Sequence, residues 1–386
     1  MDYFLSKEQR MLKNLCQKIG ESKIKPVRAQ LDVSGEFPGE IISTMAQADL
    51  FSLIFPEEYG GLGGGTMDLC VVVEELSKYC LGVSTTFAAT FLGAYPLLLF
   101  GSPEQKKKFL PGLAAGEFLA AFGLTEPGVG SDAAGIATTA QLAGDEYILN
   151  GSKQWITNGG HAGLYTIIAS TDKSKGARGF SAFLVTPDDP GFSVGKKEDK
   201  MGIRCSATAE IIFRDCRIPR DRLLGREGMG FNIAMKTLDK SRPGVGAQGV
   251  GVAAGALREA IGFAKTRRQF GQAVINFQAV GGILADMATR TEAARSLVYA
   301  VARYADSGSS EVSKVSAMAK LYATDVAMWV TTQAVQVMGG SGYMKDYPVE
   351  KMMRDAKILQ IYEGTNQIQR GVISRELSRT YNRGKN

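Results

Sequence analysis

The stretch Phe122-Gly123-Leu124-Thr125-Glu126-Pro127-Gly128-Val129-Gly130-Ser131-Asp132 stands where one periodicity ends and another begins, and that change decides the fold. Upstream, apolar residues recur at helical intervals: Leu12, Leu15 and Ile19 form one stripe behind Ser6 and Gln9, which have capping-box spacing. Residues 67–79 and the surroundings of 104–109 read as further helices. Downstream, short apolar runs at 147–149, 164–170, 179–186 and 207–213 are punctuated by Asn150-Gly151, Asn158-Gly159-Gly160 and Pro190-Gly191, the pattern of a small antiparallel β domain. After Gly228 the helical period returns over 250–266, 280–304, 311–338, 348–361 and about 366–381, with stops at Asp306-Ser307-Gly308 and Gly339-Gly340. Long helices with short connections pack as an antiparallel bundle. The expected architecture is an N-terminal all-α domain over 1–120, a middle antiparallel β domain over 121–230 and a C-terminal helical bundle over 231–386.

Composition narrows the class. The chain has 386 residues, enough for two or three domains at about 150 residues each. Hydrophobic residues make up 45% and charged residues 22%, which excludes a disordered polyelectrolyte and a membrane bundle. No apolar run approaches the roughly 18 residues that span a bilayer; the greasiest, 91–100, contains Pro96. A soluble protein is expected. The net charge of +6 is spread over small groups such as Lys106–Lys108 and Arg267-Arg268, which read as solvated helix faces rather than a nucleic-acid surface. Cys16, Cys70, Cys80, Cys205 and Cys216 form no C-x-x-C pair, so neither a disulfide framework nor a metal site is indicated and a reducing compartment follows. One histidine, His161, stands beside Gly159-Gly160 as a loop residue, which removes Ser-His-Asp chemistry unless it supplies it. Residues 1–6 lack the features of a signal or transit segment, so a cytoplasmic location is expected.

Four local features carry candidate chemistry. Tyr59-Gly60-Gly61-Leu62-Gly63-Gly64-Gly65 lacks the spacing of a phosphate-binding loop and reads as a flexible surface loop. In 122–132, Gly128 and Gly130 allow backbone N–H groups to approach an anion and Ser131 adds a hydroxyl; a diphosphate cradle and a Pro-Gly turn at a domain boundary both fit. Trp155-Ile156-Thr157 offers an indole on which a flat cofactor could pack and a hydroxyl for a ring nitrogen, or a core tryptophan. Tyr362-Glu363-Gly364-Thr365 separates two helices, with Thr365 a suitable N-cap and Glu363 either a solvated carboxylate or a base.

Taken together and in order, T-E-P-G-V-G-S-D, W-I-T-N-G-G, R-x-x-F-G from Arg267 to Gly271, Q-x-x-G-G from Gln336 to Gly340, R-D-A-K from Arg354 to Lys357 and Y-E-G-T-N-Q-I-Q-R from Tyr362 to Arg370 resemble the flavin-dependent acyl-CoA dehydrogenases, from Leu5 to about Arg375. The resemblance implies a C-terminal four-helix bundle and a homotetramer with FAD bound between subunits. Matched residue by residue, it implies that Phe122–Ser131 and Trp155, Ile156 and Thr157 hold the flavin ring and diphosphate. It likewise assigns Arg267, Phe270, Gln278 and the turn Gln336-Val337-Met338-Gly339-Gly340 to the FAD of a neighbouring subunit, and Thr365-Asn366-Gln367 to closure over the cofactor. Ser131, Asp239, Arg242 and Arg375 match the acyl-CoA contacts; for Asp239 and Arg242 the plain alternative is an i,i+3 ion pair on a helix surface.

The chemistry so implied is α,β-dehydrogenation of an acyl-CoA thioester: a base removes the α proton, hydride goes to flavin, and electrons pass to an electron-transferring flavoprotein. Some relatives carry the base on the helix of 238–242, but the matching residue here is Ser241, which leaves Glu363, with Asp239 the nearest acidic substitute. Residues 83–92 match the acyl pocket. They contain no Arg or Lys for a distal carboxylate, and Phe87 and Phe91 favour a short, branched or cyclic acyl group. An acyl-CoA oxidase or enoyl-CoA reductase on the same site is the alternative within the class. A nucleic-acid-associated flavoprotein using the basic residues of 379–385 is the alternative outside it.

Overall fold

The computed structural model describes residues 3–309 and 311–383. The N-terminal part contains α1 (Lys7–Ile19), α2 (Arg28–Ser34), α3 (Gly39–Gln47), α4 (Thr66–Ser77), α5 (Leu81–Phe100) and α6 (Pro103–Ala115). The middle part carries β1 (Leu119–Gly123), β2 (Thr139–Ala143), β3 (Glu146–Thr157), β4 (Ala162–Ser170), β5 (Phe180–Val185), β6 (Phe192–Lys197), β7 (Thr208–Pro219) and β8 (Leu223–Leu224). There follow α7 (Gly230–Thr266), the two-stranded β9 (Arg268–Gln269) and β10 (Gln272–Ala273), then α8 (Gln278–Asp306), α9 (Val312–Met338), α10 (Gly340–Tyr343), α11 (Val349–Ala356) and α12 (Asn366–Arg383). The N- and C-terminal helices share one hydrophobic core, while Tyr147, Leu149, Ile167, Phe183 and Phe213 belong to a separate core of the sheet.

Caps set several helix starts. The Ser6 hydroxyl accepts from Gln9 N at 3.1 Å and Gln9 Oε1 accepts from Ser6 N at 3.1 Å, the reciprocal pair that the spacing predicts. At α4 the residue before the helix is Gly65, which has no side chain to offer. The carboxylate of Asp306, at the end of α8, accepts from Thr66 N at 2.7 Å and Met67 N at 2.8 Å instead. Asp306→Ala is therefore expected to cost about 1–2 kcal/mol, seen as a lower denaturation midpoint at unchanged slope; an unchanged midpoint would show that water replaces the cap.

Four readings are corrected by the fold. The apolar stretch at 91–100 belongs to the longer α5, which runs through Pro96 and is long and apolar enough to cross a membrane by length and composition. The most apolar 18-residue window of α5 is 72% buried inside the protein, so its hydropathy serves the core. The sheet, in the order β6-β7-β3-β2-β4-β5-β8 with β1 beside β4, is not wholly antiparallel: β1 pairs β4 in parallel, and β2 meets β4 in parallel at Thr139 and Ser170. The long connection between β1 and β4 permits that direction. Asn150-Gly151 is not a hairpin turn but a bulge inside β3, the hairpin loop being Gly144-Asp145. Gly151 has φ +140°, and a Cβ there would lie 2.8 Å from Thr138 Cα, so only glycine lets the strand pass.

Helix α7 begins at 230, well before the expected 250, because Pro243 and a run of glycines weaken its local signal. Burial outweighs that weakness. A Cβ at Gly251 would fall 2.2 Å from Glu74 O on α4, so the missing side chain is what brings these helices together. The 379–385 tail extends past the described residues; within them, Arg379 pairs with Glu376 at 2.7 Å. Met1 and Asp2 also lie outside the described residues.

Candidate active site

Glu363 sits in the loop between the 3-10 turn Lys357–Gln360 and α12, with φ +51°, a left-handed backbone that costs a non-glycine residue energy and must be held by its surroundings. Several contacts hold it. The Ser241 hydroxyl, from α7, donates to Glu363 Oε2. Gln369 Nε2 donates to Glu363 O at 3.1 Å and Gly364 O at 2.9 Å, and Lys320 Nζ, from α9, donates to Gly364 O at 2.9 Å. Tyr362 OH donates to Gln248 Oε1, and Gln248 Nε2 donates to Thr85 Oγ1 of α5 at 3.2 Å. Burial raises the Glu363 carboxyl above the usual carboxylate range, opposed by Ser241, Lys320 and Arg242. Helices α5, α7, α9 and α12 thus converge on the loop that carries this carboxylate.

Asp239 and Arg242 are an ion pair at 2.6 Å, yet not a surface one: only 4% of the Arg242 side chain is exposed, and its Nε is buried without a hydrogen-bond partner among the described residues. Arg242 faces the Glu363 loop, while Asp239 also accepts from Ser313 Oγ at 3.1 Å and is pushed up by burial against the pull of Arg242. Ser131 and Arg375 are exposed, in the 124–138 loop and on α12, and no hydrogen bond among the described residues joins either to Asp239 or Arg242.

The loop at 122–132 and Trp155 are brought together. Lys153 Nζ donates to Leu124 O at 3.1 Å and Gln154 N to Thr125 O at 2.9 Å, stapling the loop onto β3 next to the tryptophan. Trp155 lies in a second register shift of β3, between Lys153 and Ile156, with φ +59°, and the residue is 56% exposed, so it is not a core tryptophan. Pro127, Gly128, Gly130 and Ser131 are exposed, and a Cβ on either glycine would meet nothing within 4 Å, so this backbone is open to an approaching anion. An exposed flat ring beside an open, glycine-bearing loop fits a flavin dinucleotide. Glu126 is corrected: its carboxylate is turned inward onto Ala137 N at 2.6 Å, Thr138 N at 3.0 Å and Lys153 Nζ at 2.6 Å. The Ile156 side chain likewise lies in the sheet core, while Phe122, Leu124, Thr125, Val129 and Thr157 are half-buried and Gly123 is buried.

On the C-terminal part, Arg267, Phe270, Gln278, Gln336, Gly339 and Gly340 are exposed; Phe270 is 93% so, at φ +49° in the β9–β10 hairpin. No hydrogen bond or ring contact among the described residues joins them to Trp155 or the 122–132 loop. Met338 is buried in the helical core and Val337 is half-buried. Thr365 Oγ1 accepts from Ile368 N at 3.2 Å as the N-cap of α12, and Gln367 is exposed. Asn366, expected to face a cofactor, is buried and donates to Thr324 Oγ1 at 2.9 Å and Asp325 Oδ1 at 2.7 Å.

The expected acyl segment is divided. Phe87 and Phe91 do not add bulk to a pocket; they are fully buried against Phe51 and Phe55, with centroids 5.1 Å apart for Phe51–Phe87 and 5.9 Å for Phe55–Phe91. Ala88 and Leu92 are the half-buried residues of α5 before Leu98, and helical spacing puts them on one stripe with Thr85 and Tyr95. Thr85 reaches Glu363 through Gln248 and Tyr362. Sequence reasoning missed Gln248, Gln369 and Lys320; the available signal was Lys320 and Thr324 at i,i+4 amid the alanines of α9. His161 stacks on Phe37 with centroids 3.9 Å apart, burial lowering its basicity.

Three family models match: the acyl-CoA dehydrogenase N-terminal domain over 6–117, middle domain over 121–216 and C-terminal domain over 228–378. The chain is 48% identical to the probable acyl-CoA dehydrogenase FadE25 of Mycobacterium tuberculosis, over 97% of this chain and 96% of that one. It superposes with TM-score 0.95 and 46% identity on butyryl-CoA dehydrogenase from Megasphaera elsdenii, covering 98% and 100% of the two chains. A chain in the structure of the electron transferring flavoprotein of Acidaminococcus fermentans gives TM-score 0.95 and 49% identity, covering 98% and 99%.

Proposed function

Because the chain belongs to the acyl-CoA dehydrogenase family, whose members are flavoproteins, we propose that it dehydrogenates a short, branched or cyclic acyl-CoA at the α and β carbons with Glu363 as the base. The observation that carries this reading is Glu363 itself: a partly desolvated carboxylate on a strained backbone, hydrogen-bonded by Ser241 and facing two cations. Bound FAD would supply the two-electron acceptor for the β hydride, chemistry that no side chain performs. The exposed backbone of Pro127, Gly128, Gly130 and Ser131, with Thr125, Trp155 and Thr157, would hold it from this chain, with Arg267, Phe270, Gln278, Gln336 and Gly340 supplied by a neighbouring subunit of a homotetramer.

In this reading the Glu363 carboxylate accepts the α proton, and the Ser241 hydroxyl orients the oxygen it bonds. Thr85, Ala88 and Leu92 flank the acyl group, and Tyr95, fully buried further along the stripe, closes the space. Electrons would pass to an electron-transferring flavoprotein, a reading supported by the likeness to the Acidaminococcus structure. Turnover is expected to fall steeply beyond medium chain lengths; comparable rates on butyryl-CoA and palmitoyl-CoA would overturn the substrate reading. Anaerobic dye reduction without peroxide formation in air would separate a dehydrogenase from an oxidase.

A further inference from the structure

We propose that Lys320 is a positioning residue for this reaction: its ammonium clamps the backbone of the Glu363 loop and supplies the uncommitted positive charge against which Glu363 ionises. The inference rests on the reading of Glu363 as the base. Lys320 is fully buried on α9 among Ala317, Ala319 and Ala323. Its direct partners are neutral oxygens, Gly364 O at 2.9 Å and Asn366 Oδ1 at 2.8 Å. Among the described residues no carboxylate oxygen lies within ion-pair distance of it. A buried ammonium without a counter-ion is costly unless something nearby uses its charge.

What uses it is identified by exclusion among the groups around the loop. From α7 come Ser241, which is neutral, and Arg242, already committed to Asp239 at 2.6 Å. From α5 comes Tyr95 and from the loop Tyr362, both phenols held protonated by burial. From α9 comes Asp325, which accepts from Asn366 Nδ2, Gln360 Nε2 and Arg370. Lys320 is the remaining cation, and Glu363 the remaining anion. Burial draws Lys320 down to about 7, Glu363 being the strongest influence holding it up. The clamp is shared: Asn366 Oδ1 also accepts from Thr324 Oγ1 at 3.2 Å, and Gln369 holds the same carbonyl of Gly364.

The test uses flavin-loaded Lys320→Met and Lys320→Arg enzymes, with two readouts. The first is the pH profile of anaerobic flavin bleaching by butyryl-CoA. The second, without substrate, is an infrared difference titration of the carboxyl band that disappears in Glu363→Gln. Lys320→Met is expected to move the acidic limb of the profile and the infrared midpoint upward by about one pH unit, with bleaching on that limb about tenfold slower. Lys320→Arg keeps the cation and should leave both at or below their wild-type positions. Unmoved limb and midpoint in Lys320→Met overturn the proposal, as does an upward shift in Lys320→Arg, which decides the matter if the methionine variant does not retain flavin. If Glu363→Gln bleaches normally, the base assignment falls, while the infrared midpoint still reports whether Lys320 governs the Glu363 charge.

Discussion

Glu363→Gln is expected to bind flavin and acyl-CoA like the wild type and to bleach about 10²- to 10⁴-fold more slowly when substrate is added without oxygen. The glutamine amide oxygen can still accept from Ser241, and the backbone holds from Gln369 and Lys320 do not involve the side chain. What it cannot do is take a proton. Asp239, on α7 beside Arg242, is already paired with that arginine, so a variant with undiminished bleaching would direct attention there. Stability should move the opposite way from activity. Burial raises Glu363 above its ordinary pKa, so between the ordinary and the raised value the folded protein binds more protons than the unfolded one. Stability therefore falls as pH rises through that window, and the neutral glutamine removes that loss. A denaturation midpoint at neutral pH at or above wild type is expected; a marked fall would mean that the carboxylate is structural.

Much of the architecture was legible because its signals are local. The Ser6–Gln9 capping box, the period of α8 and α9, and the turn at Asn158-Gly159-Gly160 need only neighbouring residues to be read. The failures share a cause, which is that tertiary contact overrode the local pattern. Gly151 reads as half of an Asn-Gly turn, but the approach of Thr138 makes it a bulge. Pro243 and the neighbouring glycines weaken the local helix signal before 250, yet the missing side chain of Gly251 is what lets α7 lie against α4. At the candidate site, the motifs pick out Glu363, Trp155 and the glycines of 128–130, which the fold leaves on a strained loop, exposed and open respectively. They did not reveal which side chains are consumed inside the protein. Glu126 and Asn366 sit within motifs and face inward, while Lys320, outside every motif, reaches the loop from a different helix. Facing is set by β3 and α9, far away in sequence, and no spacing rule within a motif encodes it.

Glu126 and Lys153 carry the other large expected effect. Their side chains meet at 2.6 Å with 5% and 0% exposure; among the described residues each is the other's ion-pair partner, and two backbone N–H groups also bind the carboxylate. Burial pushes Glu126 upward, but Lys153 and those donors outweigh it and hold the carboxyl below its usual range. Lys153 is itself drawn down to about 8, burial exceeding the attraction of its partner; the ammonium is the costly member, and it matters because removing it strands the carboxylate. Lys153→Met should therefore destabilise the protein by about 3–5 kcal/mol. It also removes the tie to Leu124 O, so flavin should dissociate more readily. Adding Glu126→Gln removes the stranded charge and should recover part of the stability. The lowered carboxyl contributes stability that is present above its ordinary pKa and lost as pH falls through its depressed value. Wild type and Lys153→Met should accordingly converge in acid. Denaturant midpoints and bound flavin at neutral and acidic pH measure all of this. A single variant no less stable than the double, with a gap from wild type independent of pH, would show that the pair is held by packing rather than by charge.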